Sequence, residues 1–246
     1  MKIEQGDGWT LYNADCLDVL PMLTGVDAVI TDPPYCSGGR QQQGARLQIS
    51  KNDSRGDGDW FLGDNMGTDT YLWFMRQIAS RAFDACTDGS PAYIFTDWRQ
   101  YTTVVTAWES IGWTLRTVIV WDKDRGGAMG SWWRSNHEWV AVFAKGKPRP
   151  LAHASFFNTW RGSKPQGGEH PTEKPLNLLR YIVQSVTPGG GLICDPFAGS
   201  GTTGVAALTQ GYDFVGVERN PLYFDIACRR IEAAAAQQRL ALVMEG

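Results

Sequence analysis

The chain has 246 residues, of which 43% are hydrophobic and 12% aromatic. This composition fits one folded α/β domain and excludes a globally disordered chain. No apolar stretch approaches the roughly 20 residues that cross a membrane, and the first seven residues do not form a signal segment, so we expect a cytoplasmic protein. The net charge of −3 disfavours a general polyanion-binding protein.

The five cysteines and three histidines are scattered along the chain. Neither residue type shows the paired spacing of a disulfide framework or of a zinc site. The sequence therefore predicts free thiols in a reducing compartment and no metal.

Apolar periodicity predicts strands and helices that alternate along the chain. The predicted strands are Trp9–Asn13, Asp27–Thr31, Ala92–Thr96, Leu115–Trp121, Trp139–Ala144, Leu192–Cys194 and Asp213–Val217. The predicted helices are Ala14–Leu23, about Tyr71–Cys86, about Arg99–Ile111, about Thr172–Val186, a helix that ends at Gln210, and an Ala-rich helix from about Pro221. This alternation is typical of an α/β fold.

One long segment lacks this periodicity. Residues 36–68 are rich in Gly, Gln, Ser, Asn and Asp, and their positive and negative charges largely cancel. The segment is too long for an ordinary connection, which predicts a functional lid or a mobile loop. A solvated surface loop without a function is the alternative.

The apolar, β-branched run Val26–Thr31 predicts a buried strand, which ends at the turn Asp32-Pro33-Pro34-Tyr35. Neither proline has an N–H and each fixes its own φ, so the backbone can neither extend the ladder nor begin a helix interior here. A carboxylate, a carbonyl and an aromatic ring are thereby presented at the carboxyl end of a strand, where open α/β sheets bind ligands. The alternative is an aspartate that caps a turn beside a tyrosine that packs on the sheet edge.

A glycine-rich loop follows the strand Leu192–Cys194. Gly199, Gly201 and Gly204 form G-x-G-x-x-G at the start of a helix, and Glu218 ends the next strand. Glycines permit close approach of a ligand to the backbone, and a terminal acid at this spacing accepts from ribose hydroxyls. The complete strand–loop–helix–strand pattern predicts a nucleoside-binding site.

The position of this loop in the chain distinguishes two nucleoside ligands. In dinucleotide enzymes the glycine loop usually opens the domain, and the remaining strands follow it. Here only one strand and one helix follow the loop, so the sheet must be completed by strands from earlier in the chain. This permuted order favours S-adenosylmethionine over a nicotinamide dinucleotide.

Taken together, these motifs resemble those of a DNA amino-methyltransferase of the permuted β class. The matching segments are Asp15-Cys16-Leu17, Asp32-Pro33-Pro34-Tyr35, His137-Glu138, His170-Pro171-Thr172-Glu173-Lys174-Pro175, Asp195-Pro196-Phe197-Ala198-Gly199-Ser200-Gly201-Thr202-Thr203 and the residues around Glu218. The resemblance implies a Rossmann-like methyltransferase fold with a mixed, mostly parallel seven-stranded sheet flanked by helices. It also implies one domain over residues 1–246, with a catalytic half (1–121) that contains the 36–68 loop, a target-recognition region (122–171) and a cofactor half (172–246).

The resemblance assigns the chemistry to Asp32, Pro33, Pro34 and Tyr35. An exocyclic amine is a poor nucleophile because its lone pair is delocalised into the ring. The Asp32 carboxylate and the Pro33 carbonyl are expected to accept its hydrogens and orient the lone pair. A base inside a duplex is out of reach, so it must be flipped out, and Tyr35 is expected to stack on it.

The resemblance assigns a second group to S-adenosylmethionine: Asp15, Cys16, Thr172, Lys174, Asp195, Phe197, Ala198, Gly199, Ser200, Gly201, Thr202, Thr203, Glu218 and Arg219. Within it, Thr172 and Lys174 are expected to hold the methionine carboxylate, and Glu218 is expected to accept from the ribose. Two alternatives stay open. Asp195 and Thr203 would only cap the turn and helix, and Cys16 would only pack in the core.

The predicted partner is double-stranded DNA in the nucleoid of a bacterial or phage system. Between Lys123 and Lys174 the sequence has nine basic and four acidic residues, against a net −3 overall, which predicts a basic face. The candidate contacts are Arg40, Lys123, Arg125, Trp132, Trp133 and Arg134, with core packing as the alternative for the two tryptophans. The 36–68 loop is the second candidate for target recognition. Because neither it nor the 122–171 region is large, we expect a short target sequence or a homodimer; a partner restriction endonuclease is left open.

The leading hypothesis is methylation of the adenine amine, because Asp at the first position of Asp-Pro-Pro-Tyr resembles the adenine enzymes of this class. The alternative is the same reaction on the cytosine amine. A non-catalytic DNA-binding remnant and an RNA or protein methyltransferase are further alternatives.

Overall fold

A computed structural model describes residues 1–35, 66–124, 133, 135–152, 156–163, 173–186 and 190–245. Its strands are β1 (Lys2–Gly6), β2 (Trp9–Asn13), β3 (Val26–Thr31), β4 (Pro91–Thr96), β5 (Trp113–Asp122), β6 (His137–Lys145), β7 (Thr159–Arg161), β8 (Leu192–Asp195) and β9 (Asp213–Val217). Its helices are α1 (Cys16–Val19), which a 3-10 turn (Leu20–Met22) follows, α2 (Thr68–Ala85), α3 (Tyr101–Glu109), α4 (Leu176–Ser185), α5 (Thr202–Leu208) and α6 (Pro221–Glu245).

The strands form one mixed sheet in the order β1-β2-β9-β8-β3-β4-β6-β5-β7. Strands β8 and β9, from the end of the chain, lie between β2 and β3 from its beginning, and all these pairings are parallel. The predicted permuted order is therefore confirmed. The glycine loop after β8 and the Asp32 turn after β3 leave the sheet at adjacent positions.

The seven predicted strands form the centre of this sheet, and two further strands extend its edges. Strand β1 pairs antiparallel with β2, and β7 pairs parallel with β5. The prediction missed β1 because all five of its residues are exposed, which removes the hydrophobic alternation that marks a half-buried strand. It missed β7 because three residues are too few for a periodic pattern.

Two cores cover the two faces of the sheet, as the helix-flanked α/β fold requires. One core joins the sheet to α4, α5 and α6, and the other joins it to α1, α2 and α3. The side chains of β4 alternate between the faces: Tyr93 and Phe95 enter the first core, and Ala92 and Ile94 enter the second. Within the described residues, none of the helices combines the length and apolar character needed to cross a membrane.

The strand directions decide which residues can meet at the site. Strands β2, β9, β8, β3 and β4 run parallel, while β6 is antiparallel to both β4 and β5. The amino end of β6 therefore lies at the same edge as the carboxyl ends of β3, β4 and β5. This edge, called the active edge below, brings His137 and Glu138 towards Asp32.

Trp113 fixes β5 against α2. Its side chain is 2% exposed, packs against Phe83 and Trp108, and donates from Nε1 to the Ala79 carbonyl at 3.0 Å. The indole therefore fills the second core and satisfies its own polar atom.

We expect Trp113→Ala to lower the free energy of unfolding by about 3–5 kcal/mol, because it removes a large buried side chain and leaves a cavity. Trp98→Ala is the matched control, since Trp98 is 60% exposed and its loss should change stability by no more than about 0.5 kcal/mol. Urea denaturation followed by circular dichroism measures both. Equal effects in the two variants would contradict the packing described here.

Candidate active site

A buried hydrogen bond joins the two motifs where their strands lie side by side. Thr31 Oγ1, at the end of β3, donates to Asp195 Oδ1 at 2.6 Å, and the same oxygen accepts from the Phe197 N–H at 3.0 Å. Asp195 is 2% exposed, and burial raises its pKa to about 6 despite donors from Thr31 and Thr203. These contacts favour the alternative in which Asp195 and Thr203 cap the turn and hold the loop.

The Asp32 carboxylate receives donors on both of its oxygens. The Tyr35 hydroxyl donates to Oδ1 at 2.7 Å, and Lys174 Nζ lies 2.6 Å from Oδ2. The Tyr35 hydroxyl also lies 3.4 Å from Glu138 Oε2, and its ring packs against the first core. The four residues of the Asp-Pro-Pro-Tyr turn are therefore together at the active edge, with the carboxylate held in one orientation.

Glu138 forms the second carboxylate of this cluster. Lys174 Nζ lies 3.3 Å from its Oε2, and Lys123 forms an ion pair with its Oε1. Burial by itself would raise the pKa of Glu138, but the ammonium groups of Lys174 and Lys123 outweigh it and hold the pKa below the usual value. Glu138 therefore stays ionised at neutral pH.

Two of these residues make contacts within the protein that their predicted roles do not include. Lys123, predicted as a DNA contact, points to Glu138 and lies 5.1 Å from the Trp121 ring centroid. Lys174, predicted to hold the cofactor's carboxylate, is 9% exposed and pairs with the protein's own carboxylates. The resemblance gave Glu138 no role. The available signal was an acidic residue directly before the apolar run of β6.

The glycine loop is tied to the end of β9. Glu218 accepts from the Gly199 N–H at 2.8 Å and from the Asn220 N–H at 2.7 Å, and burial raises its pKa to about 7. The Ala198 N–H donates to the Val217 carbonyl at 2.9 Å. Apart from Gly199 and its two chain neighbours, none of the described residues has a heavy atom within 4 Å of the position that a Cβ on Gly199 would occupy, so this part of the loop is open to a ligand.

At two other positions of the loop, the fold itself requires glycine. Gly201, at the start of α5, has a φ of +81°, a conformation that favours glycine. Gly204 packs so closely on β9 that a Cβ would lie 2.8 Å from the Phe214 ring. The loop and α5 therefore require glycine at both positions.

An ion pair that the sequence did not reveal holds the loop from outside. Arg230 of α6 pairs with Glu173 and donates to the Ser200 carbonyl at 2.9 Å and to the Ser200 hydroxyl at 2.7 Å. The Thr202 hydroxyl donates to Glu173 at 3.3 Å. These partners lie far apart in the chain, so no local pattern indicates them. Ser200 and Thr202 thus use their hydroxyls within the protein.

The Asp15 segment lies after β2, next to Glu218. Asp15 Oδ1 accepts from the Leu17 N–H at 3.0 Å and so caps α1, while its Oδ2 lies 3.8 Å from Arg219 Nη1. The neighbouring Cys16 is buried in the second core, which raises the pKa of its thiol to about 12. Cys16 is therefore a neutral core residue at physiological pH.

The remaining predicted residues are distributed as follows. Phe197 stands at the glycine loop with its ring centroid 6.0 Å from that of Phe74, and Trp133 is 89% exposed. Thr172, Arg40, Arg125, Trp132, Arg134 and most of the 36–68 loop lie outside the described residues.

The predicted basic face is not a single surface in the part of the chain that the structure describes. Lys145 ends β6 at the opposite edge of the sheet and donates to the Phe83 and Cys86 carbonyls. Arg149 pairs with Asp27 near the beginning of β3, also away from the active edge. The sequence count failed here because residues close in the chain are separated by the length of a strand.

We expect Thr31→Val to lower the free energy of unfolding by about 1–3 kcal/mol, because the buried Asp195 carboxylate loses a donor without gaining water. Thr114→Val is the control, since Thr114 is exposed on β5. Thermal unfolding of the two variants measures the difference. A Thr31→Val protein as stable as the control would show that this hydrogen bond does not join the motifs.

A family profile and a curated relative each match most of the chain. A sequence profile of the family described as DNA methylase matches residues 26–229. The type II methyltransferase M2.MboI of Moraxella bovis is 26% identical over 246 residues, which cover 90% of this chain and 87% of that protein.

Two solved structures share the fold. The crystal structure of the M1.HpyAVI–SAM complex superposes with a TM-score of 0.70 at 23% identity and covers 91% of this chain and 98% of that one. The cytosine-N4-specific PvuII DNA methyltransferase superposes with a TM-score of 0.70 at 15% identity and covers 95% and 93% of the two chains. These likenesses confirm the predicted fold.

Proposed function

Because the chain belongs to the family of DNA methylases, we propose that it transfers a methyl group from S-adenosylmethionine to the exocyclic amine of a flipped-out adenine in double-stranded DNA. Family membership establishes that the chain is a DNA methyltransferase that acts on an exocyclic amine, either N6 of adenine or N4 of cytosine. The observation that carries the proposal is the Asp32 carboxylate, held by donors on both oxygens and adjacent to the glycine loop.

The proposed role of Asp32 follows from its hydrogen bonds. Each carboxylate oxygen can accept more than one hydrogen bond, and the described contacts give each Asp32 oxygen one donor. Acceptor capacity therefore remains for the amine of a target base. Together with the Pro33 carbonyl, Asp32 would draw on the amine hydrogens and turn the lone pair outward without rotating its own carboxylate.

Tyr35 has two proposed roles that use different parts of its side chain. Its hydroxyl orients Asp32, as the 2.7 Å contact indicates. Its ring offers a stacking surface for the flipped-out base, and one such contact contributes about 1–3 kcal/mol. Burial and the neighbouring carboxylates raise the pKa of Tyr35 well above its usual value, so the hydroxyl remains a donor.

The ends of β2, β8 and β9 fit S-adenosylmethionine. Glu218 would offer a carboxylate to the ribose, Gly199 leaves open space beside the loop, and Phe197 and Asp15 follow the ends of β8 and β2. When bound, the cofactor supplies a sulfonium methyl group that is already electrophilic, so no metal is required. The protein residues then need only bind the cofactor, orient the target amine and exclude water.

The choice of adenine rests on Asp32 as the first residue of its motif. The fold alone does not decide it, since the cytosine-N4-specific PvuII enzyme shares the architecture at 15% identity. Cytosine is therefore the alternative target. Mass spectrometry of nucleosides from DNA treated with the protein distinguishes them: we expect N6-methyladenine, and N4-methylcytosine as the only product would overturn the choice.

DNA is expected to approach the active edge, where Trp133 is 89% exposed and Trp98 is 60% exposed. A homodimer remains a proposal, as does a partner restriction endonuclease, which the type II methyltransferase name of the Moraxella bovis relative favours.

We expect Asp32→Ala to keep the affinity for S-adenosylmethionine and to reduce methyl transfer by at least about 100-fold, because an oriented acceptor is lost at the reacting amine. Asp32→Asn is the matched variant of equal size and should also be impaired. Isothermal titration measures binding, and single-turnover assays measure transfer. Normal transfer by the Ala variant would contradict the assigned role.

Binding of S-adenosylmethionine should weaken as the pH falls from 8 to 6. Glu218 is half protonated near pH 7 in the free protein, and its ionised form is the better acceptor for ribose hydroxyls. If only that form binds, the apparent Kd at pH 6 should be about tenfold higher than at pH 8.

Glu218→Gln provides the control for this pH dependence. The variant should bind more weakly at pH 8 and show no change in Kd between pH 6 and pH 8. Titrations of both proteins at the two pH values give the comparison, and a wild-type Kd that is the same at both would refute a role for the Glu218 charge.

A further inference from the structure

We propose that Lys174 is a positioning residue that fixes the Asp32 carboxylate, and that it does not bind the cofactor. This inference rests on the proposed function, because it concerns the same methyl transfer. It differs from the role that family resemblance suggested, in which Lys174 holds the methionine carboxylate.

The location of the Lys174 ammonium is the first argument. Its Nζ lies 5.3 Å from the Tyr35 ring centroid and 5.4 Å from the Phe95 ring centroid, and Phe95 is 1% exposed. The ammonium thus lies on the core side of the Asp-Pro-Pro-Tyr turn, between two aromatic rings and two carboxylates. From there it reaches Asp32 Oδ2 at 2.6 Å.

The second argument is that Glu138 holds the ammonium in place. Lys174 and Lys123 carry two positive charges, which balance the two negative charges of Asp32 and Glu138. A buried charge is stable only when it is paired and hydrogen-bonded. Asp32 and Glu138 occupy two of the three N–H donors of Lys174. A move of this buried ammonium towards a cofactor would weaken both contacts, and Asp32 would keep only the Tyr35 donor.

The backbone around Lys174 is also fixed. Glu173, the preceding residue, pairs with Arg230 and accepts from Thr202. Pro175, the following residue, caps α4. The same Arg230 holds the glycine loop through Ser200. The segment that carries Lys174 is thereby attached to the cofactor loop, so the acceptor and the loop share one rigid support.

Lys174 and Tyr35 together set the plane of the acceptor. Tyr35 donates to Oδ1 and Lys174 to Oδ2, so rotation of the carboxylate about its Cβ–Cγ bond would break both contacts. With Lys174 removed, the Asp32 carboxylate would lose one of the two donors that fix its orientation. The expected defect is in methyl transfer, while cofactor binding is unchanged.

The test compares wild-type protein with Lys174→Met, which has similar length and no charge, and with Lys174→Arg, which keeps the charge. We expect the Kd for S-adenosylmethionine to stay within about twofold in both variants. The single-turnover rate at saturating cofactor and DNA should fall about 100-fold in Lys174→Met, as for a misplaced catalytic group, and less in Lys174→Arg. A Kd raised tenfold with an unchanged saturated rate would overturn the proposal.

A double variant distinguishes a defect in folding from a defect in positioning. Lys174→Met combined with Glu138→Gln removes one charge of each sign, so it should melt at a higher temperature than Lys174→Met while methyl transfer stays low. Recovery of the transfer rate in the double variant would overturn the positioning role. Wild-type protein that binds the cofactor but transfers no methyl group to DNA would refute the proposed function. The cofactor titrations of the Lys174 variants would still decide whether this residue binds the cofactor.

Discussion

The parallel pairing of β3 with β8 is the constraint on which the active edge depends. These strands are separated by some 160 residues of chain, yet they place Asp32 and the glycine loop at neighbouring strand ends. The buried hydrogen bond from Thr31 to Asp195 joins them at that point. A carboxylate that orients an amine and a loop that binds a nucleoside are thus held in register by the sheet itself.

The carboxylates along this edge accept from different kinds of donor, and the kind of donor influences the pKa of each carboxylate. Asp195 and Glu218 accept mainly from backbone and hydroxyl donors, and burial raises the pKa of each. Glu138 has two ammonium partners, which hold its pKa below the usual value. Ammonium groups therefore lie beside the catalytic turn, while backbone and hydroxyl donors hold the Asp195 and Glu218 carboxylates. The first arrangement keeps Glu138 ionised and Asp32 oriented. The second leaves the Glu218 carboxylate responsive to a ligand and to pH.

Local sequence patterns were sufficient to predict the central sheet and to locate both motifs. The apolar run before Asp32 and the strand–loop–helix order around Gly199 each depend on neighbours in sequence. The contacts that complete the site do not. Arg230 reaches Glu173 across 57 residues, and Lys123 meets Glu138 only because β5 and β6 pair antiparallel. Such long-range pairs follow from the packed fold, so no local pattern in the sequence indicates the contacts of Lys174 with Asp32 and Glu138.

A crystal structure of the protein with duplex DNA and a non-transferring analogue of S-adenosylmethionine would test this account most directly. The account predicts that the flipped-out base places its amine within hydrogen-bond distance of the Asp32 carboxylate and the Pro33 carbonyl, and that Lys174 still contacts Asp32 and Glu138. A Lys174 that has left Asp32 to bind the analogue's carboxylate, or a target amine far from Asp32, would contradict it.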